Sequence, residues 1–140
     1  MATWKKVLPA RKTMCFEVIG KEAAWKQFAR IKATPNGPDK QLGDRIGSKV
    51  VIFPQDRDRV VAFTPYHNNN GSVGESKIRV INSGPDAWTL MCEDSGDNDY
   101  NDYVIRVTIY ENPALLDELD RVSALVDAAV KADDVDGIIG

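Results

Sequence analysis

The chain is poor in the residues that most often carry chemistry. Its 140 residues include a single histidine, His67, and two cysteines, Cys15 and Cys92, with no metal-ligand spacing among them. Zinc sites draw on clustered Cys and His, and a Cys/His nucleophile needs its imidazole partner, so both chemistries start with little support. Two cysteines are too few for a disulfide scaffold and read as free thiols behaving as small buried hydrophobes. No Gly-x-Ser-x-Gly elbow and no phosphate-cradling glycine loop occurs. Long apolar runs are missing too: nothing approaches the roughly 18 residues of a membrane span. No apolar stretch of the signal-peptide kind follows Met1-Ala2-Thr3-Trp4-Lys5-Lys6. The expectation is a soluble cytoplasmic protein, with non-classical export as the other route.

What is present is the composition of one ordinary globular domain, 43% hydrophobic and 28% charged, long enough to bury a core without staples. The net charge of −3 conceals an uneven distribution. Residues 1–92 carry 15 basic and 8 acidic side chains, a net +7. The ten residues from Glu93 to Asp102 carry five acids and no base, and residues 111–140 add eight acids against Arg121 and Lys131. The basic excess of the first part, with Lys5, Lys6, Arg11 and Lys12 near its start, raises nucleic-acid binding, but the overall acidity and the lack of a recognition motif argue against it.

From residue 3 to residue 110, short runs rich in Val, Ile, Phe and Thr alternate with Gly, Pro, Asn and Asp. This pattern predicts an antiparallel β-sandwich of about eight to nine strands. The candidates are Trp4–Leu8, Thr13–Ile19, Gln27–Ala33, Ser48–Phe53, Arg59–Thr64, Ser76–Asn82, Trp88–Cys92 and Tyr103–Tyr110. The last alternates cleanly, with Tyr103, Ile105, Val107 and Ile109 on one face and Val104, Arg106, Thr108 and Tyr110 on the other. Turns are expected at Thr34–Asp39, at His67-Asn68-Asn69-Asn70-Gly71 and at Ser83–Asp86. Trp4, Trp25 and Trp88 read as packing residues rather than sugar platforms, and His67 as a turn residue.

Past Tyr110 the period changes: Leu115, Leu119, Val122, Val126 and Ala129 recur at three and four residues, the mark of an amphipathic helix. With Asn112 as cap and Pro113 in the first turn, the helix is expected over Pro113–Ala132. The division is thus a β-sandwich over 1–110 and a helical extension over 111–140. The helix stripe packs either on its own sandwich or on a second subunit.

The run Glu93-Asp94-Ser95-Gly96-Asp97-Asn98-Asp99-Tyr100-Asn101-Asp102 lies between two predicted strands. Its five carboxylates repel one another unless a cation neutralises them, and no Lys or Arg lies within the run. Calcium takes six to eight oxygen ligands, and the loop offers oxygens with no sulfur or imidazole. Asp97, Asp99 and Asn101 can converge on one ion, and five acids are enough for two. An EF-hand is excluded: its sixth position would be Asp102 instead of Gly, its twelfth Thr108 instead of Glu, and a strand follows where a helix is required.

This loop, with the alternating strand after it, closely resembles the calcium loop of the bacterial soluble lectins that bind fucose and mannose through two adjacent calcium ions. Asp97-Asn98-Asp99-Tyr100-Asn101-Asp102 is its most specific part, and weaker similarity runs through Leu8-Pro9-Ala10, Ile46-Gly47-Ser48-Lys49-Val50 and Ser76–Ile81. The resemblance implies that Glu93, Asp97, Asp99, Asn101 and Asp102 ligate calcium and that Asp94 helps to hold sugar hydroxyls. It also implies that the hydroxyls replace water on both ions while hydrogen-bonding the same carboxylates, Asp97 and Asp99 among them. Where the family has an Asn-Ser-Ser-type turn, this chain has Ile19-Gly20-Lys21-Glu22-Ala23-Ala24, and Glu22 is the residue there able to supply the missing oxygen. The family's chains stop just after the last strand, with a terminal glycine reaching into the partner subunit's site. This one continues some 30 residues to Gly140, which leaves a homo-oligomer open but alters its terms.

The sequence therefore reads as a non-enzymatic, calcium-dependent carbohydrate-binding protein. The alternative keeps the calcium and drops the sugar, making the chain a structural or protein-interaction module. An enzyme built on the acidic loop would need a separate general acid, and none is legible.

Overall fold

The computed structural model describes residues 2–22, 25–93 and 102–110. The expected helix Pro113–Ala132, and with it the extension 111–140, lies outside the described residues. Ten strands form in chain order: β1 (Trp4–Leu8), β2 (Thr13–Gly20), β3 (Lys26–Thr34), β4 (Asp39–Leu42), β5 (Lys49–Ile52), β6 (Arg59–Asn69), β7 (Ser72–Glu75), β8 (Lys77–Gly84), β9 (Ala87–Glu93) and β10 (Tyr103–Tyr110). All pairings are antiparallel. One sheet runs β4-β3-β6-β1 with β7 also on β6, and the other runs β5-β2-β10-β9-β8.

The sandwich follows from the period-2 pattern of the strands. Along β3 and β10 every second residue is buried, so each strand turns one row inward. Phe16 of β2 and Phe63 of β6 stack across the two sheets, centroids 5.8 Å apart, amid Leu8, Val18, Ile31, Leu90, Ile105 and Val107. Trp4 is buried and packs on Trp88 at 5.7 Å. Both cysteines are buried and free. Arg59, 2% exposed, donates from Nη2 to the Phe53 carbonyl at 2.7 Å and so belongs to no basic surface.

The architecture corrects the sequence reading at three points. β4 and β7 are additional strands, raising the count among the described residues to ten. β6 runs on through His67, Asn68 and Asn69, leaving only Asn70-Gly71 as the turn; His67 is a strand residue. The physical reason is the Asn-Gly pair, whose φ values of 53° and 95° suit the tight hairpin turn that matches strand twist. β8 likewise persists to Gly84 through a register shift after Asn82, so Ser83 and Gly84 belong to the strand.

Pro65 lies inside β6 without loss of a ladder bond. β1 and β7 lie end to end along the same edge of β6, and Pro65 falls at the gap between them, its carbonyl accepting from Ser76 N at 2.9 Å. The N–H that proline lacks would have pointed into that gap.

Candidate functional site

The acidic run connects β9 to β10 in the second sheet. Glu93 is the last residue of β9 and Asp102 immediately precedes β10; Cys92 and Tyr103 form the last strand pair before the loop. Glu93 is 1% exposed and Asp102 5% exposed, so the loop starts and ends on buried carboxylates. Burial of this kind is costly for a charge unless it is compensated.

The β2–β3 connection is drawn to the same end. β2 and β10 slip register between Val104 and Ile105: Val104 pairs with Gly20 and Ile105 with Val18, which leaves Ile19 as the extra residue of a bulge. A bulge bends its strand and redirects the chain that follows. Here the following residues are Lys21 and Glu22, and Glu22 N donates to the Asp102 carbonyl at 3.3 Å.

A third segment clamps the first two. Asp44, in the β4–β5 connection, accepts from Lys21 Nζ at 2.7 Å and from Gln27 N at 2.9 Å through the same carboxylate oxygen. Burial pushes the Asp44 carboxyl up, but the Gln27 amide and the Lys21 ammonium outweigh it and hold the group below its usual range. The Tyr103 hydroxyl donates to the Gly43 carbonyl at 2.7 Å, with the Leu42 carbonyl at 3.2 Å, tying the base of β10 to the end of β4 in the opposite sheet. Burial raises the Tyr103 phenol far above its usual range and raises the Cys92 thiol likewise, the latter helped by the Asp102 charge. Cys92 is therefore a protonated thiol and no ligand for a hard cation.

Of the residues expected to form the site, Glu93, Asp102 and the connection bearing Glu22 come together at one end of the sandwich. Asp94, Asp97, Asp99 and Asn101 lie outside the described residues. Among the described residues no group of three metal-ligating side chains forms by itself. The donors at the loop's ends are carboxylate oxygens, which fit a hard divalent cation. Sequence reasoning missed Asp44, the Lys21 pair and the Tyr103 tie, because nothing in the sequence near Asp44 signals partners as far away as Lys21 and Gln27.

No protein-family model and no curated protein matches this sequence. Among solved structures, the high-affinity mannose-binding lectin of Ralstonia solanacearum superposes at a TM-score of 0.51, with 18% identity over 77% of this chain and 96% of that one. The Chromobacterium violaceum lectin CV2L, solved in complex with alpha-methyl-fucoside, gives 0.49 at 18% identity over 77% and 96%. The C-terminal domain of the BC2L-C lectin from Burkholderia cenocepacia gives 0.49 at 17% identity over 79% and 96%. At such identities the likeness is one of fold, and the Ralstonia structure carries it. In architecture the chain thus resembles that mannose-binding lectin.

Proposed function

We propose that this protein binds carbohydrate at the β9–β10 loop, in a calcium-dependent manner. The observation that carries the reading is the convergence of Glu93, Asp102 and the Glu22 connection at one end of a lectin-like sandwich, bracketing the densest run of acids in the chain. Glu93, Asp97, Asp99, Asn101 and Asp102 would hold two calcium ions, with Glu22 as a further oxygen donor and Asp94 beside the sugar. The cations, when bound, supply exchangeable coordination positions for vicinal hydroxyls. The protein's own part is to fix the loop ends, through the Tyr103 and Asp44 ties, and to accept hydrogen bonds from those hydroxyls on charged oxygens. Mannose is the first sugar to try, because the Ralstonia structure that shares the fold is a mannose-binding lectin, and fucose the second, by the loop's sequence resemblance to the fucose- and mannose-binding lectins.

One observation favours the second reading, a calcium-pinned interaction module. The connection 20–24 carries no hydroxyl or amide side chain, and Lys21 is committed to Asp44 at 2.7 Å. Titration calorimetry separates the two. Heat from calcium into chelator-treated protein, followed by heat from methyl α-mannoside or methyl α-fucoside, is the expected result. Calcium heat without sugar heat would transfer the reading to the module, and no calcium heat would remove both. Asp99→Ala should abolish both heats while leaving the sandwich folded.

A further inference from the structure

The β6–β7 hairpin tip and the start of β3 enclose a groove of about 340 Å³, lined by Trp25, Lys26, Asn68, Asn69, Asn70 and Gly71. We infer that this groove is a second saccharide subsite, in which one neutral pyranose ring lies on the Trp25 indole while the asparagine amides bond its hydroxyls. The inference rests on the carbohydrate-binding reading and assigns the groove to a further unit of the same glycan.

The lining chooses the ligand class. A pyranose has apolar C–H patches and a rim of hydroxyls that both donate and accept, which matches a flat indole beside amides able to do the same. Lys26 is the only charged side chain in the lining, too little for a polyanion such as a nucleic acid strand. An apolar peptide anchor would leave the amides without partners on burial, at a cost.

The groove is held in shape before any ligand arrives. The Trp25 ring leans on His67, centroids 5.5 Å apart at 31°, and His67 Nδ1 is fixed by Ser76 Oγ at 2.9 Å. The Trp25 carbonyl accepts from buried Gln27 Nε2 at 3.1 Å, and Gln27 N is anchored on Asp44. On the other wall, Asn68 Oδ1 accepts from Gly71 N at 2.7 Å. That contact engages the carbonyl end of the Asn68 amide in the turn and makes its NH₂ the end offered to a ligand. Pre-formed walls reduce the entropy lost on binding.

The groove adjoins the connection that meets the C-terminal end of the loop. Trp25 follows Glu22 by three residues, so their Cα atoms are at most about 11 Å apart, and Glu22 N is bonded to the Asp102 carbonyl.

The test follows the Trp25 indole N–H by NMR, assigned through Trp25→Phe. Methyl α-mannoside, methyl α-fucoside and neutral oligosaccharides ending in either sugar are added in calcium and in chelator. The expected result is that oligosaccharides shift the Trp25 indole and the Asn69 and Asn70 side-chain amides, while the monosaccharides perturb the loop alone. Trp25→Ala should weaken oligosaccharide binding about tenfold with monosaccharide affinity unchanged, and Trp25→Phe should retain most of it. A Trp25 indole that no saccharide moves, in either condition, overturns the subsite even if the loop binds sugar. Equal loss of monosaccharide and oligosaccharide affinity in Trp25→Ala also overturns it, by making Trp25 a prop for the loop. Shifts at Trp25 with no monosaccharide binding in calcium would keep the groove and reject the loop reading.

Discussion

Single residues set the shape of this site, and Asp44 is the most informative of them. One carboxylate oxygen serves both the Lys21 ammonium and the Gln27 amide, tying the β4–β5 connection to both ends of the β2–β3 connection. Its lowered pKa has a definite consequence. A carboxylate depressed in the folded state stabilises at pH values above the unfolded-chain pKa and loses that contribution as pH falls through the folded value. Asp44→Asn should therefore lower stability near neutrality by about 1 kcal/mol. Stability should also fall less steeply with acid below about pH 4 in the variant than in the parent. Urea midpoints measured across the acid range check both, and parallel pH profiles would deny Asp44 this role. The thiols give a second residue-scale prediction. Burial raises both Cys15 and Cys92 above the usual thiol range, so neither should react with a thiol reagent at about pH 8 until the protein is unfolded in urea. Prompt labelling of the native protein would show that the core opens there. Asp44 shows what the sequence withheld: an aspartate in a Gly-Asp-Arg turn looks like any surface acid until the fold brings Lys21 and Gln27 to it. Glu93 and Asp102 stood out in the sequence only as the two ends of a dense acidic run.

At the scale of elements, legibility tracks how much side-chain burial shapes each strand. β10 and β3 alternate buried and open positions along their length, and the alternation is visible in the sequence. β4 reads Asp-Lys-Gln-Leu with only Leu42 buried, and β7 reads Ser-Val-Gly-Glu with no residue buried. Such strands exist because a neighbour offers backbone partners: β3 to β4, and β6 to β7 across Asn70-Gly71. For β7 the turn is therefore decisive. Gly71 at φ 95° occupies a conformation that strains any side chain, so Gly71→Ala should cost about 1–2 kcal/mol. Because the core lies elsewhere, the loss should be local. Amide exchange should quicken across Asn68–Glu75 in that variant, and protection in β2 and β10 should stay unchanged. Uniform loss of protection would instead make the hairpin part of the cooperative core.

For the whole molecule, the question is whether the acidic loop belongs to the fold or is carried by it. The core cluster closes around Phe16 and Phe63 from residues of both sheets, and among the described residues it extends to the loop's flanks at Cys92 and Tyr103. Those two are tied by strand pairing and by the Gly43 and Leu42 carbonyls, none of which requires a cation. The sandwich should therefore remain folded in chelator, with an unchanged far-ultraviolet circular dichroism spectrum. Calcium should act as a ligand of the folded state, stabilising by RT ln(1 + [L]/Kd). At 100 times Kd this is about 2.7 kcal/mol, which for a domain of this size raises Tm by about 10 °C. A sugar that binds only the calcium-loaded protein should add a further increment that vanishes in chelator. If the spectrum instead collapses when calcium is removed, the buried pair Glu93 and Asp102 needs the cation to fold at all. The metal would then be a structural element of the sandwich, as in domains whose binding energy is folding energy, and the loop could not be treated as a separable sugar-binding device.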